Sequence, residues 1–310
     1  VGSPEPRRVG HYLDWSDRGR SGFLRYLVGA ALVLAISLVI GQTFAVVGKL
    51  VVSSESAIAT IVKTTFFGFI LSFLLLPLVP RIVNRRPWWS IAMPRPVLDW
   101  RNLLIGAGAA VGAQVTLQAV AFALNPDAYT YSDPNLTAWL GSLVVAAAAF
   151  FVQASTEEMT YRGYLTQFAR RFLRHPVGFL LMPAVVFAAP HYGNVEGLTG
   201  PLALLPYMIL GLCYGWLAYR SGSLWMAAGA HMGSNWFITG FVGSSEEKIE
   251  KISLFITSGG ATHPWRLTLS TAALALLIVG VSELVMRRTG RIVGLSASES
   301  ESDMTAVPSE

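Results

Sequence analysis

Eight stretches of this chain are apolar over roughly fifteen to twenty-five residues, and that succession restricts the fold more than any other feature. A run of this kind crosses a bilayer as a helix, because a helix satisfies its backbone donors and acceptors within itself. The expected spans are about 23–47, 57–79, 103–124, 138–172, 176–190, 201–219, 224–241 and 267–286. Composition agrees: 53% of the 310 residues are hydrophobic and 13% charged, against about 25% charged in a soluble domain. The expected fold is all-α, a polytopic membrane helical bundle of about eight transmembrane helices.

The chain divides accordingly. Residues 1–22 read as a polar cytoplasmic tail without a cleavable signal, and 23–136 as the first three helices. Residues 137–241 hold helices four to seven, 242–294 an extracytoplasmic connection and the last helix, and 295–310 a disordered acidic tail. The segment EEKIEKISLFI within the long connection has amphipathic spacing and is expected to lie along the surface.

Arginines fall in alternate connections, at the N-terminus, 80–101, 170–174, Arg220 and 287–291, so the expected orientation places both termini in the cytoplasm of a cell with this protein in its plasma membrane. The net charge of +5 is explained by that bias and points to no nucleic-acid partner. Arg81, Arg85, Arg86, Arg95 and Arg101, interleaved with Trp88 and Trp89, read as an interfacial loop. The single cysteine, Cys213, lies in an apolar segment, which excludes an intrachain disulfide. Gly108 and Gly112, like Gly229 and Gly233, have the spacing that lets helices approach closely.

Six strongly polar residues stand out inside the spans: Glu157, Glu158, Arg162, His191, His231 and Asn235. An ionised group at membrane depth costs at least a few kcal/mol, so these groups need partners or a use. Counted from the basic ends of their helices, Glu157, His191 and Asn235 lie at a common depth of about 20 Å. His231 lies one turn nearer the basic face. Glu158 and Arg162 are four apart and share a helix face, so they can pair. Glu157 is rotated about 100° from Glu158 and is expected to face His191 and His231 instead. A carboxylate held away from water without a counter-charge is the kind of group that serves as a general base.

These residues form three blocks: Glu157-Glu158-Met-Thr-Tyr-Arg162, Phe187-Ala-Ala-Pro-His191 and His231-Met-Gly-Ser-Asn235. In this the chain resembles the CAAX-protease and bacteriocin-processing family of intramembrane proteases (CPBP, or Abi), which includes the eukaryotic prenyl-protein endopeptidase Rce1. The resemblance covers about residues 137–240 and implies an intramembrane endopeptidase. It makes Glu157, His191, His231 and Asn235 catalytic: Glu157 with His191 activates a water, and His231 with Asn235 stabilises the oxyanion. Glu158 and Arg162 become structural residues that orient Glu157. The resemblance also allows a zinc ion on Glu157, His191 and His231, beside a metal-free glutamate–histidine mechanism.

The implied partners are a membrane-associated peptide or protein substrate and the lipid bilayer. An alternative function is a catalytically dispensable scaffold or accessory subunit that keeps the fold and binds a partner membrane protein, in immunity, secretion or transport. A transporter using the carboxylates as a proton relay is a third reading, and the absence of repeat halves argues against it.

Overall fold

The computed structural model describes residues 10–54, 56–194, 200–244, 252–257 and 264–293. Within these, the chain is an all-α bundle whose helices are α1 (Phe23–Val51), α2 (Ile58–Ile82), α3 (Trp100–Leu124), α4 (Leu136–Leu173), α5 (Pro176–His191), α6 (Pro201–Ser221), α7 (Trp225–Gly240) and α8 (Pro264–Thr289). Among the described residues six of these, α1–α4, α6 and α8, are long and apolar enough to cross a membrane. The chain is an integral multi-pass membrane protein. The shorter α5 and α7 sit within the bundle, and α7 is almost wholly buried.

Small residues bring α7 against α3. A side chain on Gly229 or Gly233 would run into the backbone of Leu103 or Ala107, and one on Gly106 into that of Met226. The expectation for Gly229 and Gly233 therefore holds. It fails for Gly108 and Gly112, whose missing side chains face open space; the α3 contact face carries Gly106, Ala109, Ala110 and Ala113 instead.

Two ends cap the bundle. At the far end, three short strands, β1 (Tyr129–Tyr131), β2 (Val242–Ser244) and β3 (Phe255–Thr257), form a sheet in the order β1-β3-β2. β3 runs antiparallel to β1 and parallel to β2. Phe255 and Ile256, expected in an amphipathic surface segment, are thus strand residues paired with Thr130 and Tyr131. The rest of that segment up to Lys251, and the acidic tail 295–310, lie outside the described residues.

At the basic end, residues 10–22 are not a free tail. Tyr12–Asp17 is a 3-10 turn with His11, Tyr12, Leu13 and Ser16 fully buried. Tyr12 donates its N–H to the Gly222 carbonyl at 2.9 Å, Gln167 donates to the Tyr12 carbonyl at 3.2 Å, and Trp15 donates to the Met93 carbonyl at 3.2 Å. Asp17 pairs with Arg170 at 2.7 Å. The segment bonds the Gly222 carbonyl just past the end of α6, a loop carbonyl and a buried α4 side chain, which gives a polar stretch a reason to be buried. Arg86 departs from the interfacial reading too. It is buried, donates to the Trp15 carbonyl and to the Tyr26 hydroxyl, and lies over the Tyr26 ring.

Candidate active site

The site is built on α4, the 38-residue helix from Leu136 to Leu173. The helix loosens into a π-helical turn over Met159–Leu165, directly after the two glutamates. Thr166 donates to the Tyr161 carbonyl five residues back, at 2.9 Å, which satisfies an acceptor the wider turn releases. Gly163 packs against the Ile91 carbonyl, where any side chain would overlap. The segment 154–165 is buried throughout.

Glu158 is fully buried and accepts from two groups through one oxygen: Arg162 Nη1 at 3.1 Å and His231 Nδ1 at 2.9 Å. The expected Glu158–Arg162 pair is present, and His231 joins it. Arg162 also donates to the Gly211 carbonyl at 3.1 Å. Its guanidinium lies 4.2 Å over the Phe187 ring and 5.4 Å from that of Tyr214. A cation so enclosed is matched by a carboxylate, a carbonyl and two aromatic faces.

His231 is buried and stacked on Tyr214, ring centres 4.9 Å apart at 14°. Because a carboxylate only accepts, Nδ1 carries the proton toward Glu158. The opposite nitrogen, Nε2, stands 3.5 Å from Glu157 Oε2. Both glutamates therefore meet the same imidazole, one on each edge. Among the described residues Glu157 has one further polar contact, a long one of 3.4 Å from Gln153 Nε2. Its position is held loosely where that of Glu158 is held tightly. With both carboxylates ionised and Arg162 cationic, the group is negative unless His231 is protonated, in which case the charges balance.

His191 closes α5. Its Nδ1 donates to the Phe187 carbonyl at 2.8 Å, which leaves Nε2 as an acceptor, and its ring stacks on Tyr207 with centres 4.5 Å apart. It is within the electrostatic reach of Glu157 and His231, but no ion pair within 4.0 Å joins it to Glu157. Asn235 stands one turn beyond His231 on the same face, half-buried, with no hydrogen bond to a described residue. The structure thus brings Glu157, Glu158, Arg162 and His231 into contact, and leaves His191 and Asn235 around them.

For zinc, the residues as placed do not fit. Among the described residues no three His, Cys, Asp or Glu side chains converge as an ion site requires. Glu157 and His231 Nε2 face each other and Glu158 holds the opposite ring nitrogen, but no third ligand joins them among the described residues.

Two aromatic residues, Tyr207 and Tyr214, shape the site without having been singled out from sequence, beside Phe187, which the sequence marks. Phe187 opens the block that ends at His191. Tyr207, Gly211 and Tyr214 follow one another at spacings of four and three, one face of α6, and that pattern was a readable signal. Glu283, on α8, was also passed over. It accepts from Arg220 at 2.6 Å and Trp216 at 3.1 Å and tethers α8 to α6, away from the site.

Residues 139–237 match the family model described as Type II CAAX prenyl endopeptidase Rce1-like. The match begins just inside α4 and ends just past Asn235, so it contains all six residues of the site. Among curated proteins, the chain is similar to YyaK of Bacillus subtilis (strain 168), described as an uncharacterized protein: 26% identity over 207 residues, 66% of this chain and 69% of the relative.

Proposed function

We propose that this protein hydrolyses a peptide bond of a membrane-associated protein or peptide, with Glu157 as the general base, a reading supported by the match of residues 139–237 to the Rce1-like type II CAAX prenyl endopeptidase family model. The observation that carries the reading is the shared imidazole: His231 is fixed through Nδ1 by Glu158, and its other edge meets a Glu157 that little else restrains. A base must be free to exchange protons and reach its water, whereas an orienting carboxylate must be immobile.

In this mechanism Glu157 takes a proton from a water as that water's oxygen bonds to the scissile carbonyl carbon. His191, whose Nε2 is an acceptor, orients the same water. The Asn235 amide, together with His231 Nε2 when the ring carries a proton on each nitrogen, donates to the oxyanion that forms. The carbon–nitrogen bond then breaks, and the proton held by Glu157 passes to the leaving amine. Glu158 and Arg162 act on His231, and only through it on Glu157. No step is derived through a metal ion.

We place the basic end of the bundle, with residues 10–22, on the cytoplasmic side of the plasma membrane, because arginines gather there. The test of function is a comparison of protein termini in membranes carrying the wild type or Glu157→Gln at equal abundance. The reading requires new termini that appear with the wild type and vanish with the variant. Identical termini in both, with the protein still needed by the cell, would move the assignment to a scaffold.

A further inference from the structure

A cavity of about 410 Å³ opens beside the site and is lined by α2, the 88–93 loop, α4 and the start of α7. It meets Glu158 and Met159 rather than Glu157, His191 or His231, so it approaches the Glu158 face of α4. Its volume is within the range of pockets that hold small ligands, about 300–1,000 Å³.

The cavity is polar at its two ends and apolar between them. At the basic end Arg81 is exposed and has no ion-pair or hydrogen-bond partner among the described residues. Beside it are Trp88 and Trp89, and the indole N–H of Trp225, buried and without an acceptor. Phe73 lies eight residues before Arg81 on α2, about 12 Å deeper. Leu74 and Leu78, which form the wall between, are 59% and 42% exposed, so this wall belongs to the lipid-facing surface of the protein. The floor is Ser155 and Glu158, one helical turn apart, each with a buried oxygen lacking a hydrogen-bond partner. A floor of that polarity holds water and not methylene groups.

We propose that this cavity is a binding site for one anionic phospholipid of the leaflet at the basic end of the bundle. The phosphate pairs with Arg81, an ester carbonyl accepts from the Trp225 indole, and an acyl chain lies along Leu74, Leu78 and Phe73. Arginine and tryptophan at one level, over an apolar slot open to the membrane, match the order of charge, ester and hydrocarbon along a phospholipid. A neutral headgroup would leave Arg81 without a net countercharge. The lipid packs against the side of α4 that holds Glu158, and so covers the rear of the candidate site from solvent.

The test is native mass spectrometry of the full-length protein in detergent, titrated with phosphatidylglycerol or phosphatidylcholine of the same chains. The wild type is expected to retain one phosphatidylglycerol selectively. Arg81→Gln should weaken that retention about tenfold, the size of one lost charge-assisted contact, and Leu78→Trp should block it. Both positions are exposed, so neither change threatens folding. Equal retention of the two lipids, or no effect of either variant, would overturn the proposal. So would variants that retain lipid normally yet fail to cleave a substrate of the wild type, since the cavity would then belong to the peptide's path. Selective binding with an inactive wild type would leave the lipid site standing and remove the protease reading.

Discussion

Glu158→Ala and Glu157→Ala differ by one position in the chain, and they should differ sharply in stability. Glu158 is fully buried and accepts from Arg162 and His231 at 3.1 and 2.9 Å. Removing it leaves the Arg162 cation buried with the Gly211 carbonyl and two ring faces as its remaining support. Breaking a buried pair from one side costs about 3–5 kcal/mol. At roughly 2 °C per kcal/mol for a chain of this size, the melting midpoint should fall by about 6–10 °C. Among the described residues the polar contacts of Glu157 are those at 3.4 and 3.5 Å, so Glu157→Ala should stay within about 1 kcal/mol of the wild type. The assay is thermal unfolding of the detergent-solubilised protein, followed by the loss of a monodisperse chromatographic peak. Arg162→Met in the Glu158→Ala background should recover part of the loss, because the stranded charge is gone. Equal midpoints for the two alanine variants, or a Glu157→Ala loss as large as that of Glu158→Ala, would refute the division of labour between the glutamates.

Other perturbations have equally definite outcomes. Burial lowers the His11 pKa from its usual 6.5, against the opposing pull of the Tyr219 carbonyl and Asp14, with Arg170 also disfavouring charge. The Leu13 N–H donates to His11 Nδ1 and His11 Nε2 lies 2.7 Å from the Tyr219 carbonyl, so only the neutral ring fits both. The stability from this contact is therefore complete above pH 6.5 and declines as pH falls below it toward the lower folded value; melting midpoints between pH 8 and 5 should show a decline that His11→Gln lacks. Gly229→Val should prevent a monodisperse preparation, because its side chain meets the Leu103 backbone, whereas Gly108→Ala should be neutral or slightly stabilising. Glu283→Gln weakens the Arg220 bond at 2.6 Å and should lower the midpoint while leaving proteolysis by the surviving fold unchanged, as checked by comparing both in one preparation.

Much of this architecture is legible in the sequence, for reasons that also mark where reading stops. Apolar runs of bilayer length located the helices, and the three polar blocks held the residues that meet around His231. Helix periodicity paired Glu158 with Arg162. It also sent Glu157 toward His231, correctly, while missing that Glu158 meets the same ring: an imidazole has donors or acceptors on opposite edges, and angular spacing on α4 says nothing of a partner on α7. Residues 10–18 were opaque for another reason. Their burial depends on polar groups far along the chain, the Gly222 and Met93 carbonyls and the Gln167 side chain, a complementarity that composition does not record. Arg86 was misplaced with them, since Trp15 and Tyr26 are its partners. Glu283 sat in an apolar span as plainly as Glu157, but its partner Arg220 lies 63 residues away and no motif links the two. The π-helical turn after Glu158 left no mark except an overlong helix.

The most direct test of the central claim is the rate of peptide-bond cleavage by Glu157→Gln, with purified full-length protein and a membrane-associated substrate of the wild type. General-base catalysis contributes about 10²–10⁴-fold. The expected result is a loss of that order at an unchanged melting midpoint. Cleavage within a few-fold of the wild type, by a variant just as well folded, would contradict it.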